Sequence, residues 1–146
     1  MLLLSLALWP YVRRSAIGVS GGVRGTSEDF MAGFSDNELA YLRDGRKLAR
    51  IATVGADGTP HVTPVGWSVS AALDAIDVGG RNLERSKKYR DIRRSGRAAI
   101  VIDDLASTDP WRPRGIEVRG RAELVEDPAP MIRIHADRVV SWGLEG

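Results

Sequence analysis

The residues best suited to chemistry lie in a basic segment that follows two consecutive glycines. Residues 81–97 include eight lysines or arginines and only two acids, a local balance of +6 in a chain whose net charge is +2. Gly79 and Gly80 would let a ligand approach the backbone closely. A hydroxyl and two ammonium groups follow at the start of an expected helix, contributed by Ser86, Lys87 and Lys88. Because helix amino termini offer unpaired amides to anions, the segment predicts a phosphate clamp, with a solvated basic helix as the alternative.

Other catalytic and metal-binding patterns are missing or incomplete. The sequence has no Gly-x-Ser-x-Gly elbow, no His-Glu-x-x-His pair and no Walker sequence, so hydrolase chemistry has no visible machinery. The absence of cysteine excludes disulfides and thiolate nucleophiles, and it fits a reducing compartment. His61 and His135 are expected to be surface or cross-strand residues. Asp103 and Asp104 offer too few oxygen ligands for a metal site and are expected at a turn or helix cap.

Length and composition indicate one globular domain preceded by a separate segment. With 146 residues, of which 43% are hydrophobic and 27% charged, the chain can bury one core. Residues 1–33 are expected to be a flexible or mis-started extension, with the natural start near Met31. The apolar run over residues 1–9 is shorter than the ~20 residues that a membrane span needs, and its arginines follow it, unlike those of a secretory signal. We therefore expect a cytoplasmic domain over residues 34–146, without membrane insertion.

The first half of this domain is expected to form a helix and a three-stranded meander. Ser35 and Glu38 form a capping box that predicts a helix over residues 36–43. Hydrophobic patterning predicts strands over 47–54, 61–69 and 75–79. The first two strands are joined by a turn at residues 56–58, where aspartate and glycine tolerate positive φ. Prolines place part of the second strand at a sheet edge.

The second half is expected to add one helix and three strands. A helix over residues 83–95 precedes an apolar strand over 98–102, and residues 103–114, with two prolines, are expected to be a loop. Alternation predicts a strand over 116–125 and, after a break at 127–130, a final strand over 131–142. Six or so strands with one or two helices indicate a mainly β fold, an antiparallel closed or partly closed barrel.

The order of four segments resembles a known family. These segments are LARIATV at residues 48–54, GADGTPHVTPVGW at 55–67, SKK at 86–88 and IRRSGRAAIV at 92–101. Together they resemble the FMN-binding split barrels of the pyridoxamine 5'-phosphate oxidase-like superfamily, and most closely their small actinobacterial, F420-dependent branch (PPOX class). The resemblance covers residues 34–146 and implies a split β-barrel with six or so strands.

The resemblance also implies a cofactor, a reaction and a set of contacts. It implies an oxidoreductase that binds coenzyme F420, a deazaflavin, or alternatively FMN, and that transfers a hydride between the reduced cofactor and a small unsaturated or quinone-like substrate. Phosphate contacts are implied for Arg50, Ser86, Lys87 and Lys88, with a second phosphate-side contact at Gly80 and Arg81. The backbone of Ile51, Ala52 and Thr53 would line the ring. Since the cofactor supplies the chemistry, no catalytic residue is assigned.

Two departures limit what the resemblance implies about the substrate. The helix that larger members insert before the final strand is absent, and only residues 127–130 bridge the gap, which predicts a more open substrate wall. The C-terminal basic signature of true pyridoxamine phosphate oxidases is not visible, so oxidation of vitamin B6 is not implied. Trp67 and Trp142 are either cofactor or dimer contacts or core aromatics. The loop over residues 109–114 suits either an anionic ligand or a dimer contact.

The family habit of placing the cofactor between subunits implies a homodimer with the cofactor near the subunit interface. Two other classes of function stay open. A non-catalytic F420- or flavin-binding protein would have the same sequence features, and only turnover can separate it. A nucleic-acid-binding small barrel would use the basic helix, but stacking aromatics should then interleave with the basic residues, and Tyr89 is the sole aromatic there.

Overall fold

The computed structural model describes residues 33–44 and 47–145, so the expectations for residues 1–32, including a start at Met31, lie outside the described residues. Two α-helices are present, α1 (Asp36–Arg43) and α2 (Lys87–Ser95), with short 3-10 turns at Ala71–Leu73 and Leu83–Arg85. The strands are β1 (Leu48–Val54), β2 (Pro60–Ser70), β3 (Ala75–Gly79), β4 (Arg97–Thr108), β5 (Trp111–Val125), β6 (Met131–His135) and β7 (Arg138–Trp142).

The strands close into an antiparallel barrel. Six of them form a ring in the order β1-β2-β3-β6-β5-β4, in which β4 pairs back onto β1, while β7 adds to β5. β2 changes partner along its length, because residues 60–65 pair with β1 and residues 66–70 pair with β3. Within the described residues, the first half of β2 therefore has one unpaired edge. This arrangement confirms the predicted split β-barrel and the predicted edge position of the prolines.

The core lies inside the ring and beneath α2. Alternation along the strands turns every second side chain inward, and these inward positions are mostly isoleucine or valine. Burying such a side chain contributes roughly 1.5–3 kcal/mol, so the inward rows dominate the stability of the barrel. The largest fully buried side chains are Tyr89, Ile51, Ile76, Ile92, Ile100, Ile102, Ile116, Ile132, Ile134, Val78 and Val118.

Capping groups fix both helices. The predicted capping box is confirmed at α1, where the Ser35 side chain and the Glu38 side chain each accept a hydrogen bond from the other residue's backbone amide. The helix predicted over 83–95 is divided, because a 3-10 turn over Leu83–Arg85 is followed by Ser86, which has an extended backbone and is the N-cap of α2. Gly96 ends α2 with a φ of 65°, a conformation that glycine adopts without steric cost.

The loop prediction for residues 103–114 is wrong. β4 and β5 continue through this segment as a long hairpin with its tip at residues 109–110. A register shift between Leu105 and Ser107 lies beside Pro113, which pairs with Leu105. Proline lacks an amide for the ladder, and an irregularity of this kind tolerates that loss. The two prolines, which suggested a loop, are therefore compatible with a long hairpin.

The single final strand predicted over 131–142 is also wrong, because residues 136–137 interrupt it. The Asp137 carboxylate accepts hydrogen bonds from the backbone and the guanidinium of Arg121, and the Ala136 amide donates to the carbonyl of Asp74. These contacts separate β6, which pairs with β3 and β5, from β7, which pairs with another stretch of β5. In the part of the chain described here, neither helix is long and apolar enough to cross a bilayer.

Candidate functional site

A buried carboxylate joins α2 to β1. Asp91 is only 5% exposed, yet it accepts hydrogen bonds from the Thr53 hydroxyl at 2.8 Å and the Lys87 ammonium at 2.9 Å. The hydrogen bond from Lys87 lowers the pKa of Asp91, against the effect of burial, and the bond from Thr53 lowers it further. Asp91 is therefore a charged group that fixes the first turn of α2 over the end of β1.

The amino terminus of α2 retains hydrogen-bonding capacity. The Ser86 hydroxyl donates to the Leu83 carbonyl at 2.6 Å and accepts from the Tyr89 amide at 3.3 Å, so it serves the helix itself. The amides of Lys87 and Lys88, at the first two helical positions, have no acceptor within a helix of this geometry. Amides at the start of a helix point away from its body, so this terminus is a favourable environment for an anion, and the charge of the adjacent Lys88 adds to it.

Two buried polar atoms lie on the same inward face of β2. The Nδ1 atom of His61 and the Oγ1 atom of Thr63 are buried, and neither has a hydrogen-bond partner among residues 33–44 and 47–145. His61 lies directly opposite Thr53 in the ladder, as expected for a cross-strand residue. Since buried polar groups are nearly always hydrogen-bonded, these atoms indicate a missing water or ligand atom. Sequence reasoning missed Thr63, although its two-residue spacing from His61 was a signal.

The structure brings some of the predicted contacts together and separates others. Thr53 and Lys87 share Asp91, and Ser86 and Lys88 adjoin them in the same turn. Ile51 is 1% exposed, so only its backbone could meet a ligand, whereas half-buried Ala52 faces outward with Arg50. The remaining predicted contacts, Gly80 and Arg81, are exposed after β3.

Arg50 stands apart from the helix terminus. It lies on the face of β1 opposite to Thr53, three residues away, which corresponds to about 10 Å along a strand. Its guanidinium forms an ion pair with Asp103, and both side chains are more than 40% exposed. A ligand that contacted both Arg50 and α2 would have to extend around the edge of the sheet.

A second polar cluster, formed by Tyr41, Lys47, Asp104 and Arg114, ties α1 to the β4–β5 hairpin. Arg114 binds both carboxylate oxygens of Asp104 at 2.7 and 2.9 Å, and the Tyr41 hydroxyl donates to the same carboxylate at 3.0 Å. The Lys47 ammonium lies 4.4 Å from the centroid of the Tyr41 ring. Burial and Asp104 raise the pKa of Tyr41, while Arg114 holds the pKa of Asp104 below its usual range.

These pairings correct the sequence-based expectation that Asp103 and Asp104 occupy a turn or a helix cap. Both lie within β4 and pair with arginines on other strands. Trp67 is half-buried against the core and donates from its ring nitrogen to the Lys47 carbonyl at 3.0 Å. Among the described residues, no group of three or more His, Cys, Asp or Glu side chains could hold a metal ion.

Comparisons with known proteins identify the family of the chain. The family model for pyridoxamine 5'-phosphate oxidase matches residues 35–142. A 5a,11a-dehydrotetracycline/5a,11a-dehydrooxytetracycline reductase from Streptomyces rimosus subsp. rimosus is 37% identical over 122 residues, which cover 77% of this chain and 85% of the relative.

Solved structures share the fold at lower identity. A conserved hypothetical protein from Mycobacterium tuberculosis superposes with a TM-score of 0.62 at 23% identity, covering 82% of this chain and 91% of the other. An FAD binding protein from Mycobacterium smegmatis superposes with a TM-score of 0.57 at 20% identity, covering 75% and 94%. The family match runs from the N-cap of α1 to the end of β7 and includes the whole barrel. The chain therefore belongs to the pyridoxamine 5'-phosphate oxidase family.

Proposed function

We propose that this protein is a coenzyme F420-dependent oxidoreductase that transfers a hydride from the reduced deazaflavin to a small unsaturated or quinone-like substrate. The observation that carries the proposal is the amino terminus of α2, where free amides and ammonium groups meet above a buried, fixed carboxylate. An oxidoreductase is supported independently by the 37% identical reductase. FMN is the alternative cofactor.

The residues at this terminus fit a phosphate-bearing cofactor. Lys88 contributes an ammonium group, and Lys87 can bridge between Asp91 and a phosphate because its side chain is 43% exposed. The orphaned atoms of His61 and Thr63 provide further hydrogen-bonding positions nearby on the inward face of β2. The side chains of Arg81, Lys87 and Lys88 would hold the phosphate, Ser86 would fix the helix terminus beside it, and the backbone of residues 51–53 would line the ring.

The charge of the basic segment favours F420 over FMN. Most of its arginines have no acidic partner among the described residues: Arg90 donates to the Arg85 carbonyl, Arg94 donates to the Val54 carbonyl and Arg93 lies over the Tyr89 ring. F420 has an anionic oligoglutamate tail in addition to its phosphate, whereas FMN has the phosphate alone. The net charge of +6 over residues 81–97 therefore favours F420, which carries more negative charge than FMN.

The chain's own contribution to the reaction is binding and orientation. When bound, the reduced deazaflavin supplies a hydride. One end of the substrate double bond would accept this hydride, and the other end would take a proton from water, so that the substrate would gain two hydrogen atoms. Holding the two reactants in a fixed geometry lowers the activation barrier of such a reaction substantially. No side chain therefore needs to act as an acid or a base.

We also propose a cytoplasmic homodimer with the cofactor near the subunit interface. On the outward face of β1 and β2, the apolar side chains of Leu48, Val54 and Val62 are 66%, 47% and 60% exposed. Ala52 lies directly opposite Val62 in the same face. An exposed apolar patch of this kind is typical of a protein–protein contact, and a second copy would cover it.

Turnover tests the proposed function directly. Purified protein is incubated under anaerobic conditions with reduced F420 and 5a,11a-dehydrooxytetracycline, and in parallel with reduced FMN. We expect oxidation of F420 to match substrate consumption one to one, with little reaction from FMN. Faster turnover with FMN would replace F420 as the cofactor. Tight F420 binding without turnover of this compound or of simple quinones would support the non-catalytic binding protein instead.

A further inference from the structure

A groove of about 680 Å³ lies on the outer side of the β2–β3 ladder, beside the segment that leads into β6. Its floor contains three glycines, Gly66, Gly79 and Gly80. Gly66 and Gly79 are direct partners in the ladder, so two adjacent strands lack side chains at the same point. A volume of this size is in the range that accommodates a drug-sized molecule.

Neither packing nor backbone conformation requires these glycines. A Cβ atom added at any of the three positions would meet no heavy atom within 4 Å, and none of the three has a positive φ. Glycine inside a strand is less stable than alanine by roughly 0.5–1 kcal/mol. At Gly66 and Gly79 glycine therefore lowers the stability of the strands, and the fold of the chain itself does not require it. The close approach of a ligand explains why glycine is present.

The residues that line the groove indicate the shape and polarity of such a ligand. Pro130 and Met131 form an apolar side, on which a flat ring system can lie. Ser68, Asn82 and Glu84 offer hydrogen-bonding groups to its edges. Asp77 also lines the groove, and Arg133 binds both of its oxygens at 2.8 and 2.9 Å. None of the described residues that line the groove is a lysine or an arginine, so a phosphate or polyanion is disfavoured there.

We infer that this groove binds the substrate and that the substrate is a flat, fused-ring compound with hydroxyl and keto groups on its edges. The inference rests on the proposed function and deepens it by naming the class of hydride acceptor. Gly80 belongs both to the groove and to the segment assigned to the cofactor, so a ligand in the groove would lie next to the bound cofactor. The tetracycline skeleton in the name of the similar reductase is a fused-ring system of this class.

Two substitutions fill the groove without disturbing the fold. Gly66→Val and Gly79→Val add side chains into open space, and valine suits a strand. Oxytetracycline is the probe, and its binding to the cofactor-free protein is followed by fluorescence. We expect each variant to weaken oxytetracycline binding at least tenfold and to leave the melting temperature unchanged or higher. Gly66→Val, which lies outside the basic segment, should leave the F420 dissociation constant within twofold. Ala106→Val, which places the same side chain at an exposed position of β4, is the control.

The outcomes separate this inference from the proposed function. Oxytetracycline binding that is absent in the wild type, or that stays unchanged in both variants, overturns the groove assignment and leaves F420 dependence standing. Loss of F420 binding in both variants also overturns it, because the groove would then hold the cofactor. Weakened oxytetracycline binding in a protein that binds no F420 supports the groove and overturns the proposed function alone.

Discussion

Two clusters in this protein have nearly the same composition and opposite character. One joins Asp91 to Lys87 and Thr53, and the other joins Asp104 to Arg114 and Tyr41. Each contains an aspartate with a lowered pKa, a cation and a hydroxyl, and the second also contains Lys47. The residue types alone would not distinguish the two clusters.

They differ in the hydrogen-bonding capacity that remains. Arg114 binds both oxygens of Asp104 in a forked pair, which uses the geometry of a guanidinium fully. Lys87 binds Asp91 through a single nitrogen, and its side chain is partly exposed beside the helix terminus. Two buried atoms without hydrogen-bond partners lie on the neighbouring strand β2.

The second cluster also has a free donor, because the Lys47 ammonium has no hydrogen-bond partner among the described residues, but that donor is buried against the Tyr41 ring. Accessible donors, as at Lys87 and the helix terminus, rather than charge pairs, therefore mark the site for an anionic cofactor.

The largest expected effect distinguishes the clamp from general basic charge. Lys88→Ala should weaken F420 binding about 10- to 100-fold, since a hydrogen bond to a charged group contributes roughly 1.5–3 kcal/mol and each ~1.4 kcal/mol is tenfold. Arg93→Ala removes the same charge from the exposed face of α2, where the guanidinium lies over Tyr89. Equal losses in the two variants, measured by equilibrium titration, would mean that the helix attracts anions only through its total charge.

The other cluster should respond in stability instead of affinity. Arg114→Ala leaves Asp104 and Tyr41 without their partner, and we expect the free energy of unfolding to fall by about 1–2 kcal/mol, reduced by the 30% exposure of both side chains. F420 affinity should stay within twofold. Urea unfolding measures the first quantity, with Arg112→Ala on the same strand as an exposed control. A tenfold loss of affinity would make this cluster part of the site.

Acid titration of stability sharpens the comparison further. The pKa of Asp91 is lower in the folded state than in the unfolded chain, so its stabilising effect is present above its unfolded pKa of roughly 3.9 and is lost as the pH falls through the folded value. Asp91→Asn should therefore be less stable than wild type at pH 7, and the difference should shrink below pH 4. Melting temperatures of the two proteins between pH 7 and 3 test this, and a difference that grows on acidification would contradict it.

The smallest expected effect concerns an orphaned atom. Thr63→Val removes a hydroxyl that has no partner among the described residues, so stability should change by less than about 1 kcal/mol or improve. F420 affinity should fall by a few-fold if this hydroxyl meets the cofactor or its water. Thr108→Val at the exposed end of β4 is the control. A large loss of stability would mean that the hydroxyl already has a partner.

Much of the fold could be predicted from local sequence signals. The capping box at Ser35 placed α1 correctly over Asp36–Arg43, and the bounds of β3 were also correct, because each signal depends only on neighbouring residues. The two errors in the strands involve tertiary contacts. Pro113 is accommodated by an irregularity in a hairpin, and Asp137 breaks the last strand by binding Arg121, which no local pattern indicates.

The candidate site could be predicted only in outline. The basic segment and Ser86-Lys87-Lys88 were visible as charge and spacing, and the N-cap role of Ser86 follows from the helix start. The role of Asp91 was not visible, since nothing in the sequence indicates that this acid is the one on the buried side of a basic helix. Gly66 and Gly79 also gained meaning only when the ladder placed them opposite each other.

The central claim is that free donors at the amino terminus of α2 bind the phosphate of a cofactor, and that the charge of the basic segment favours a deazaflavin over a flavin. Its most direct test is the equilibrium dissociation constant of the purified wild-type protein for F420 and for FMN, measured in parallel at one salt concentration. We expect micromolar or tighter binding of F420 and at least tenfold weaker binding of FMN. Tighter binding of FMN would contradict the cofactor assignment, and binding of neither would contradict the clamp itself.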